Sequence, residues 1–334
     1  MLYERLLRPA LFQLDAERAH DRVAALMAAL QSVPGSAASI KALFGRFPSS
    51  LACQALGLRF PNPIGLAAGF DKDARLTKIL PALGFGFLEI GSVTLEAQPG
   101  NPKPRMFRLP EHAALVNRLG FNSAGVKQAA LRLSQAPRAV PIGVNLGLNK
   151  ETPKDDAAQR YARTFQLLEP FGDYFAVNVS SPNTTGLRDL QDKRHLESIL
   201  TAIQEQNRRR KPVLVKVSPD LTDEQLDGIL DVLGRLAVGV IATNTTLTRP
   251  GIAGDEPAIQ GGLSGAPLRA LSTRLIRTIR ARAGPKLTII GVGGVFTGGD
   301  AFEKIRAGAS LVQLYTGLVY RGPFAAAAIA GELA

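Results

Sequence analysis

Residues 174–188 have the sequence YFAVNVSSPNTTGLR, in which an apolar run leads directly into a polar loop. The first four residues are aromatic, small or β-branched, a composition typical of a buried strand. From Asn178 onward the segment offers amides, hydroxyls and Arg188, but no histidine, cysteine or carboxylate. Serine, asparagine and proline also form ordinary turns, so a capping turn explains this segment equally well in isolation. The choice between a turn and a site depends on how the other strands end.

The same arrangement recurs along the chain from residue 63 onward. Short apolar runs alternate with helical patterns, which predicts repeated strand and helix units. The predicted strands span residues 63–67, 86–90, 141–146, 174–179, 212–217, 238–242, 287–291 and 310–315. Eight such strands predict an α/β fold whose parallel sheet closes into a (β/α)8 TIM barrel. An open doubly wound sheet is disfavoured, because Phe296 occupies the last glycine position of the nearest GxGxxG candidate.

Every predicted strand ends in polar or glycine-rich sequence. The ends carry residues 68–72, Gly91 and Ser92, Asn145, Asn178 and Ser181, Lys216, residues 243–245, Gly293 and Gly294, and residues 315–317. In a barrel the carboxyl ends of the strands form the active site. Because buried polar groups need partners, turn preference alone does not explain this pattern. The sequence therefore predicts one site at this rim.

The residue types at the rim indicate the kind of ligand. Glycines follow the last two strands, where barrels commonly bind phosphate through backbone N–H groups. Lys72 and Lys216 would lose hydration on a closed rim unless each faces an anion, either a carboxylate or a charge developing on a cofactor. Amides supply both donors and acceptors, which suits a small ring that alternates carbonyl and N–H groups. These amides are Asn117, Asn122, Asn178, Asn183 and Asn244.

Composition limits the class of protein. With 334 residues and 46% hydrophobic content, the chain can bury the core of a globular protein with one or two domains. No run approaches the ~18 apolar residues of a membrane span, and no signal core is evident, so the body is expected in the cytosol. Cys53 is the single cysteine and the three histidines are scattered, so no disulfide and no metal site is predicted. Ser181 lacks a GxSxG context, which argues against a hydrolytic triad.

The net charge of +12 suggests an anionic partner. Basic residues are spread along the chain, only residues 208–211 form a run, and aromatic residues do not interleave with them. Nucleic-acid binding is therefore not expected. Anionic small molecules and an anionic membrane surface both fit the charge.

Residues 1–35 carry the pattern of two short amphipathic helices. The first apolar stripe consists of Leu2, Leu6 and Leu7, with Arg5 and Arg8 beside it. The second consists of Ala19, Val23, Leu26, Met27 and Leu30 and ends at residues 34–35, and the charged side chains, Glu17 among them, are expected to lie off this stripe. Two interpretations stay open: a helical hairpin docked on the barrel, or an interfacial membrane element. Between this region and the barrel, residues 51–60 alternate apolar and polar side chains, which predicts a small β-hairpin.

Several segments together resemble the dihydroorotate dehydrogenases. Besides residues 178–188, they are AGFDK at 68–72, NRLGFN at 117–122, TNTT at 243–246, GGLSG at 261–265 and GVGG at 291–294. The resemblance extends over essentially the whole chain. Two features resemble class 2, the membrane-associated, quinone-reducing branch: the N-terminal helices, and serine at position 181 where class 1 enzymes carry cysteine.

The resemblance implies a barrel that holds FMN and oxidises dihydroorotate to orotate in pyrimidine synthesis. Ser181 would be the catalytic base that removes the C5 proton while the flavin accepts the C6 hydride. The implied substrate-binding residues are Lys72, Asn117, Arg118, Leu119, Gly120, Phe121, Asn178, Asn183, Asn244 and Thr245. The implied cofactor-binding residues are Ala68, Gly69, Phe70, Asp71, Lys72, Ser92, Asn145, Asn178, Lys216, Thr243, Gly265, Gly294, Tyr315 and Thr316. Serine is a weak base, so a proton acceptor or water beyond Ser181, positioned by Thr184, is expected.

The resemblance also implies a division of the chain. Residues 1–45 would form a helical element that contacts the membrane and admits ubiquinone or menaquinone, and residues 46–334 would form the catalytic barrel. The protein is then expected as a peripheral protein on the cytoplasmic face of the cell inner membrane. The segment after the second barrel strand, with Pro99, Pro102, Pro104 and Pro110, is expected to fold over the mouth, and the loop after the fourth strand to act as a lid.

Two alternative functions stay open at this point. One is a soluble class 1 type enzyme that uses fumarate or NAD, and the other is a non-redox barrel enzyme that binds phosphate. The choice of quinone and the choice between monomer and oligomer also stay open.

Overall fold

The computed structural model describes residues 3–45, 47–184, 186–252 and 259–334. Its strands are β1 Cys53–Ala55, β2 Leu58–Phe60, β3 Ile64–Leu66, β4 Phe87–Val93, β5 Met106–Leu109, β6 Ala114–Asn117, β7 Ile142–Leu146, β8 Tyr174–Asn178, β9 Val213–Val217, β10 Gly239–Ala242, β11 Gly262–Gly265, β12 Ile289–Val292 and β13 Leu311–Leu314. Eight of these, β3, β4, β7, β8, β9, β10, β12 and β13, form a closed parallel barrel. Each overlaps one predicted strand, so the predicted fold class is confirmed.

Helices cover the outside of the barrel. They are α1 Arg8–Phe12, α2 Ala16–Ser32, α3 Ser36–Phe44, α4 Ile79–Ala82, α5 Val126–Ser134, α6 Ala157–Leu168, α7 Lys193–Gln206, α8 Asp223–Leu236, α9 Arg269–Ala283, α10 Gly298–Arg306, α11 Thr316–Arg321 and α12 Ala325–Leu333. Short 3-10 turns lie at Ser49–Leu51, Pro110–His112, Lys154–Asp156, Leu187–Gln191 and Ala266–Leu268, and a π-helical turn lies at Tyr3–Leu7.

Side chains along each barrel strand point alternately toward the surrounding helices and into the barrel interior. On β9, Val213, Val215 and Val217 belong to the cluster packed against the surrounding helices, whereas Leu214 belongs to the cluster inside the barrel. Successive side chains of a strand point to opposite faces, so Lys216 shares the interior side with Leu214. By the same rule four other polar residues share the interior side. They are Glu89, Asn145, Asn178 and Gln313.

Two small antiparallel sheets close the ends of the barrel. Strands β1 and β2 form the predicted hairpin, and Phe60 with the half-buried Cys53 packs against the interior cluster. At the other end, β5, β6 and β11 form a three-stranded sheet that we call the roof sheet. Met106, Leu115 and Gly265 of this sheet line a cavity above the barrel. The proline-rich segment after the second barrel strand therefore covers the mouth, as predicted.

The N-terminal region contains a helix that the sequence did not predict. Pro34 and Gly35 were expected to end the helical region, but they only turn the chain, and α3 follows directly. Gly35 has a φ of 82°, which glycine adopts without strain and which permits this sharp turn. Among the described residues, no single helix is long and apolar enough to cross a bilayer. The pair formed by α2 and α3 meets that requirement jointly, but it is bent by 105°.

The N-terminal helices dock on the barrel through buried polar contacts. Glu17, expected to lie off the buried stripe, is only 6% exposed, because Arg105 binds both of its carboxylate oxygens at 2.7 and 3.0 Å. The Arg108 guanidinium donates to the carbonyl of Leu14 at 2.7 Å. Tyr3 donates to a carbonyl of α11 at 2.7 Å. The element is thus part of the folded unit, as the docked interpretation predicted.

Candidate active site

A cavity lies at the carboxyl ends of the barrel strands under the roof sheet, and the centres of water-sized molecules can occupy about 140 Å³ of it. Most of the predicted site residues line it. They are Ala68, Gly69, Lys72, Ser92, Asn117, Leu119, Gly120, Phe121, Asn178, Ser181, Asn183, Lys216, Thr243, Asn244, Thr245, Gly265, Gly294, Tyr315 and Thr316. Residues from seven of the eight strand ends and from the roof therefore meet in one place, and Asn145 of the eighth lies just behind them.

Four predicted site residues lie behind this lining. Asn145 is fully buried one layer below it. Asp71 accepts from the backbone N–H groups of residues 75 and 76 at 2.7 and 2.8 Å, and so holds the loop after β3. Phe70 packs between His20 and Tyr315. Arg118 lies over the ring of Phe107 and donates to a roof-segment carbonyl.

The floor of the cavity is a connected set of amides and hydroxyls. Ser92 donates to Asn145 Oδ1, and Asn178 Nδ2 donates to Ser92 Oγ at 3.1 Å. Asn244 Nδ2 donates to Asn178 Oδ1 at 3.2 Å and to Ser180 Oγ at 3.0 Å. These bonds link the ends of four strands. Their side chains are consequently held in fixed orientations.

Two lysines supply the positive charge of the site. Lys216 is 5% exposed, and burial lowers the pKa of its ammonium group, an effect that the Glu89 carboxylate opposes. Burial also lowers the pKa of Lys72, with Glu17 opposing the shift. Within the described residues, neither ammonium group has a hydrogen-bond partner. Desolvated cations of this kind favour an anionic or acceptor-rich ligand.

Ser181 lies in the loop after β8 and is 7% exposed. Its Oγ accepts from the backbone N–H of Asn183 at 3.3 Å. Arg188 ties down the base of this loop, because its guanidinium donates to the carbonyls of Ser180 and Thr245 at 3.2 and 3.1 Å. Within the described lining of the cavity, the ionisable side chains are two lysines and Tyr315, and no carboxylate or imidazole is present.

The glycine turns after β12 and β13 lie side by side. A Cβ on Gly317 would come within 2.2 Å of the Val295 carbonyl, so only glycine permits this approach. Thr316 and Gly317 begin α11, and their backbone N–H groups have no partner within the helix. Thr316 Oγ1 lies 2.9 Å from Ser264 Oγ of the roof sheet. This corner has the donors and the space that a phosphate group requires.

Sequence reasoning missed two interior polar residues, Glu89 and Gln313. Both are 0% exposed, and Gln313 also lines the cavity. The signal was available, because each interrupts an otherwise apolar predicted strand. The missed lining residues Met106, Leu115 and Leu268 offered no comparable signal, since they are apolar and come from the roof sheet and the turn after it.

A row of aromatic rings leads from the N-terminal helices to the cavity. The ring of His20 on α2 meets Phe70 edge-on at 4.8 Å between centroids, and Phe70 meets Tyr315 at 5.9 Å. Tyr315 lines the cavity. Burial lowers the pKa of His20 to about 4, and the nearby Lys72 adds to the shift. His20 is therefore neutral at pH 7 and behaves as part of this apolar path.

We expect His20 to make the free energy of unfolding depend on pH between about 6.5 and about 4. Unfolded His20 gains a proton below its usual pKa, whereas folded His20 stays neutral down to about pH 4, so stability falls as pH drops through this window. His20→Phe keeps the edge-on ring contact and should remove this contribution. Urea unfolding of both proteins at several pH values measures the difference.

Subtracting the unfolding free energy of His20→Phe from that of the wild type at each pH isolates the contribution of His20. The pKa of Asp71 is raised to about 6 by burial, so Asp71 changes stability in the opposite direction across part of the same window in both proteins. Parallel curves for wild type and His20→Phe would contradict a buried neutral histidine.

Comparison with known proteins agrees with the geometry. The family model described as dihydroorotate dehydrogenase matches residues 50–334. The "Dihydroorotate dehydrogenase (quinone)" of Gloeobacter violaceus is 50% identical over 333 residues, covering 99% of this chain and 93% of that protein. The protein of the same name from Christiangramia forsetii is 47% identical over 326 residues, covering 96% of each.

Solved structures give the same result. The crystal structure of DHODH from Eimeria tenella in complex with ferulenol superposes with a TM-score of 0.88 at 38% identity, covering 97% of this chain and 93% of that one. The ligand-free form from Eimeria tenella superposes with a TM-score of 0.87. A matching barrel, a full-length sequence match and a site built from the expected strand ends lead to one conclusion: the chain belongs to the dihydroorotate dehydrogenase family, in its quinone-dependent class.

Proposed function

We infer that this chain oxidises (S)-dihydroorotate to orotate and passes the electrons to a quinone, as a step of de novo pyrimidine (UMP) biosynthesis. The observation that carries this inference is the cavity, which places Ser181, a set of asparagine amides and two buried lysines together under the roof sheet. A soluble class 1 type enzyme is not favoured, because position 181 is serine and the relatives described above are quinone enzymes. A non-redox barrel enzyme is not favoured, because the family model that matches the chain is that of the dihydroorotate dehydrogenases.

The substrate is held by side chains from three regions. Asn183 Nδ2 donates to Asn117 Oδ1 at 3.3 Å, which joins the loop after β8 to the roof sheet. Asn101 Nδ2 adds a bond to the Asn183 carbonyl at 3.1 Å. The amides of Asn117, Asn183 and Asn244 together offer both donors and acceptors to a ring that carries carbonyl and N–H groups. Lys72 supplies the positive charge for the ring carboxylate. The lid motion of the loop after β8 stays a prediction.

Ser181 is the residue that removes the C5 proton. This role follows from the family resemblance, and it fits the site, because Ser181 lines the cavity and the described lining contains no carboxylate or imidazole. A serine hydroxyl accepts a proton only if its own proton leaves at the same time, either to water or along the loop through Thr184. Thr184 is 8% exposed and lies three residues further on in the same turn.

The donor set of the cavity fits an FMN group. Two buried acceptors have no partner among the described residues, Gln313 Oε1 and Asn122 Oδ1, and both residues line the cavity. The unpaired Lys216 suits an anionic acceptor, and the corner formed by Gly294, Thr316 and Gly317 suits a phosphate. The remaining residues proposed to hold FMN are Ala68, Gly69, Phe70, Asp71, Lys72, Ser92, Asn145, Asn178, Thr243, Gly265 and Tyr315. When bound, the flavin supplies the two-electron acceptor that serine, amides and lysine lack.

The N-terminal element, residues 1–45, is proposed as the route for ubiquinone or menaquinone, and residues 46–334 as the catalytic barrel. The aromatic row from His20 to Tyr315 connects this element to the cavity. The element also carries much of the exposed apolar surface of the described chain. Its exposed members are Leu6, Leu7, Leu26, Leu30, Val33, Leu43 and Phe44. We call this set the apolar face.

An apolar face made of seven exposed side chains on one helical element suits contact with a lipid surface. Residues 1–45 contain five basic and four acidic side chains, so contact with lipid depends mainly on apolar burial and little on net charge. We therefore propose peripheral binding to the cytoplasmic face of the cell inner membrane.

The direct test is the visible spectrum of the purified protein, recorded without oxygen before and after dihydroorotate is added. We expect flavin absorption bands that bleach with substrate and return when a quinone is added. Flavin that stays oxidised would retain the fold and cofactor but reject the substrate. A colourless protein that cannot be reconstituted with FMN would reject the proposed function altogether.

A further inference from the structure

A buried lysine lies behind residues 293–294, which we call the glycine turn, and the proposed chemistry does not use it. Lys304 on α10 is 0% exposed. Its ammonium group donates to the hydroxyls of Ser272 and Thr273 on α9, at 3.1 and 3.2 Å. Both of these residues are themselves buried. The charge of Lys304 is thus enclosed by protein and hydrogen-bonded to neutral groups.

The side chain of Lys304 runs along β12 toward the cavity. A Cβ on Gly291 of this strand would lie 3.3 Å from the Cβ of Lys304, so the side chain starts beside Gly291. Its ammonium group reaches Ser272, whose hydroxyl donates to the Val292 carbonyl at 2.5 Å. A Cβ on Gly293 would lie 3.0 Å from the Cβ of the same serine. The charge therefore lies one side chain behind the glycine turn, which lines the cavity.

The charge of Lys304 is not neutralised by a carboxylate. The two carboxylates that act on it, Asp300 and Glu303 of α10, contact Arg269 of α9 instead, at 2.6 and 3.9 Å. Burial lowers the pKa of Lys304 to about 8, while both carboxylates oppose the shift and Arg269 adds to it. Lys304 is therefore mostly protonated at pH 7. A buried cation without an ion-pair partner is unfavourable unless an anion approaches it.

We propose that Lys304 stabilises the phosphate group of the cofactor from behind the glycine turn, and so makes the protein select a flavin that carries a phosphate. The shape of the turn does not depend on this charge, because the Val292 carbonyl also accepts from the backbone N–H of Thr243 at 2.9 Å. Lys304 therefore acts on the phosphate through its charge and does not contact the cofactor. The inference rests on the proposed function for one point, that this corner of the cavity holds the FMN phosphate.

Lys304→Met tests this, because methionine nearly keeps the length of the side chain and removes its charge. Flavin is removed from the full chain and added back either as FMN or as riboflavin, which lacks the phosphate. We expect FMN to bind the variant about 10- to 100-fold more weakly, the size expected for opposite charges several ångströms apart in a partly polar interior. Riboflavin should bind within about twofold of wild type, since it offers no charge to Lys304. Isothermal titration calorimetry measures both dissociation constants without any turnover.

The preference for FMN should also depend on pH. A bound phosphate favours the charged form of Lys304 and raises its pKa above the value of about 8, so FMN affinity should fall as pH rises above about 8. The phosphate itself is already ionised there, because its second pKa is about 6. The other charged groups that face Lys304 are two carboxylates and a guanidinium, which do not titrate in this range.

The ratio of the FMN to the riboflavin dissociation constant isolates this effect. Groups that act on the flavin ring, such as Lys216, change both constants alike and cancel in the ratio. Between about pH 7 and about pH 9.5 the ratio should rise in the wild type and stay constant in Lys304→Met.

Arg280→Met is the matched control. Arg280 lies near the opposite end of α9, where it donates to the carbonyls of Gly284 and Gly308 at 2.5 and 2.7 Å. Its replacement removes a positive charge from the same helix and should leave both flavin affinities unchanged.

Equal weakening of FMN and riboflavin in Lys304→Met would assign the lysine to packing and overturn the proposal, and so would an unchanged FMN affinity. If Lys304→Met does not fold, the wild type decides alone, because a ratio that stays constant from about pH 7 to about pH 9.5 overturns the proposal. A wild-type protein that binds neither flavin would instead reject the proposed function.

Discussion

Replacing Ser181 with alanine is expected to slow the reduction of bound flavin by dihydroorotate about 100- to 10,000-fold, the usual contribution of a positioned base. The loss should be large because the described cavity lining contains no carboxylate or imidazole that could take over. The backbone N–H of Asn183 would lose only a weak bond of 3.3 Å, so the loop should stay in place. Anaerobic stopped-flow absorbance gives the rate of the first half-reaction.

Two further variants separate chemistry from structure. Ser181→Cys supplies a more acidic group, so it should retain more activity than alanine and move the pH profile to lower pH. Ser218→Ala removes a buried hydroxyl that accepts from the N–H of Asp220 outside the cavity, and it should reduce flavin at the wild-type rate. A Ser181→Ala enzyme that is reduced as fast as wild type would remove Ser181 from the reaction.

Replacing Leu26, Leu30 and Leu43 with glutamine is expected to weaken binding to lipid vesicles about 100-fold or more. These side chains are 68%, 41% and 75% exposed, so their replacement should cost little stability. Burial of a leucine contributes about 1.5 to 3 kcal/mol when complete, and three partly inserted side chains reach several kcal/mol together. Vesicle co-sedimentation measures binding, and turnover with a long-chain quinone in the vesicles should fall in parallel.

The two half-reactions distinguish a membrane role from general damage. Flavin reduction by dihydroorotate should stay at the wild-type rate in the triple variant, because the substrate side of the cavity is untouched. Leu131→Gln combined with Phe302→Gln, each residue 52% exposed on barrel helices, is the control and should bind vesicles normally. If vesicle binding falls equally in the control and the triple variant, or falls in neither, the apolar face is not the membrane contact.

The barrel and its rim were predictable because each strand carries its own signal. An apolar run such as residues 213–217 and the polar residue inside or after it are local features, and the barrel rule then brings the ends together. The third N-terminal helix was missed because Pro34 and Gly35 mark a turn but do not indicate whether a helix or a loop comes next. Glu17 was misplaced because its burial depends on Arg105, 88 positions away, which helical periodicity does not register.

The prediction that one apolar stripe of α2 is buried was only partly right, for a similar reason. Ala19 is 5% exposed against the barrel, whereas Leu26, on the same predicted stripe, is 68% exposed. Apolar periodicity reports that a face avoids water, but the barrel and a lipid surface are equivalent in that respect. The pairing of β6 with β11 in the roof sheet lies beyond local patterns altogether, since the two strands are joined only in three dimensions.

That pairing also bears on the order in which the protein folds. Ser264 donates to the Leu115 carbonyl across 149 positions of sequence, and closing so long a loop costs entropy before any contact offsets it. The cavity is therefore expected to be completed late, when the barrel strands between these positions have already formed. A ligand that needs the finished cavity binds only the native protein, so it should slow unfolding and leave the folding rate nearly unchanged.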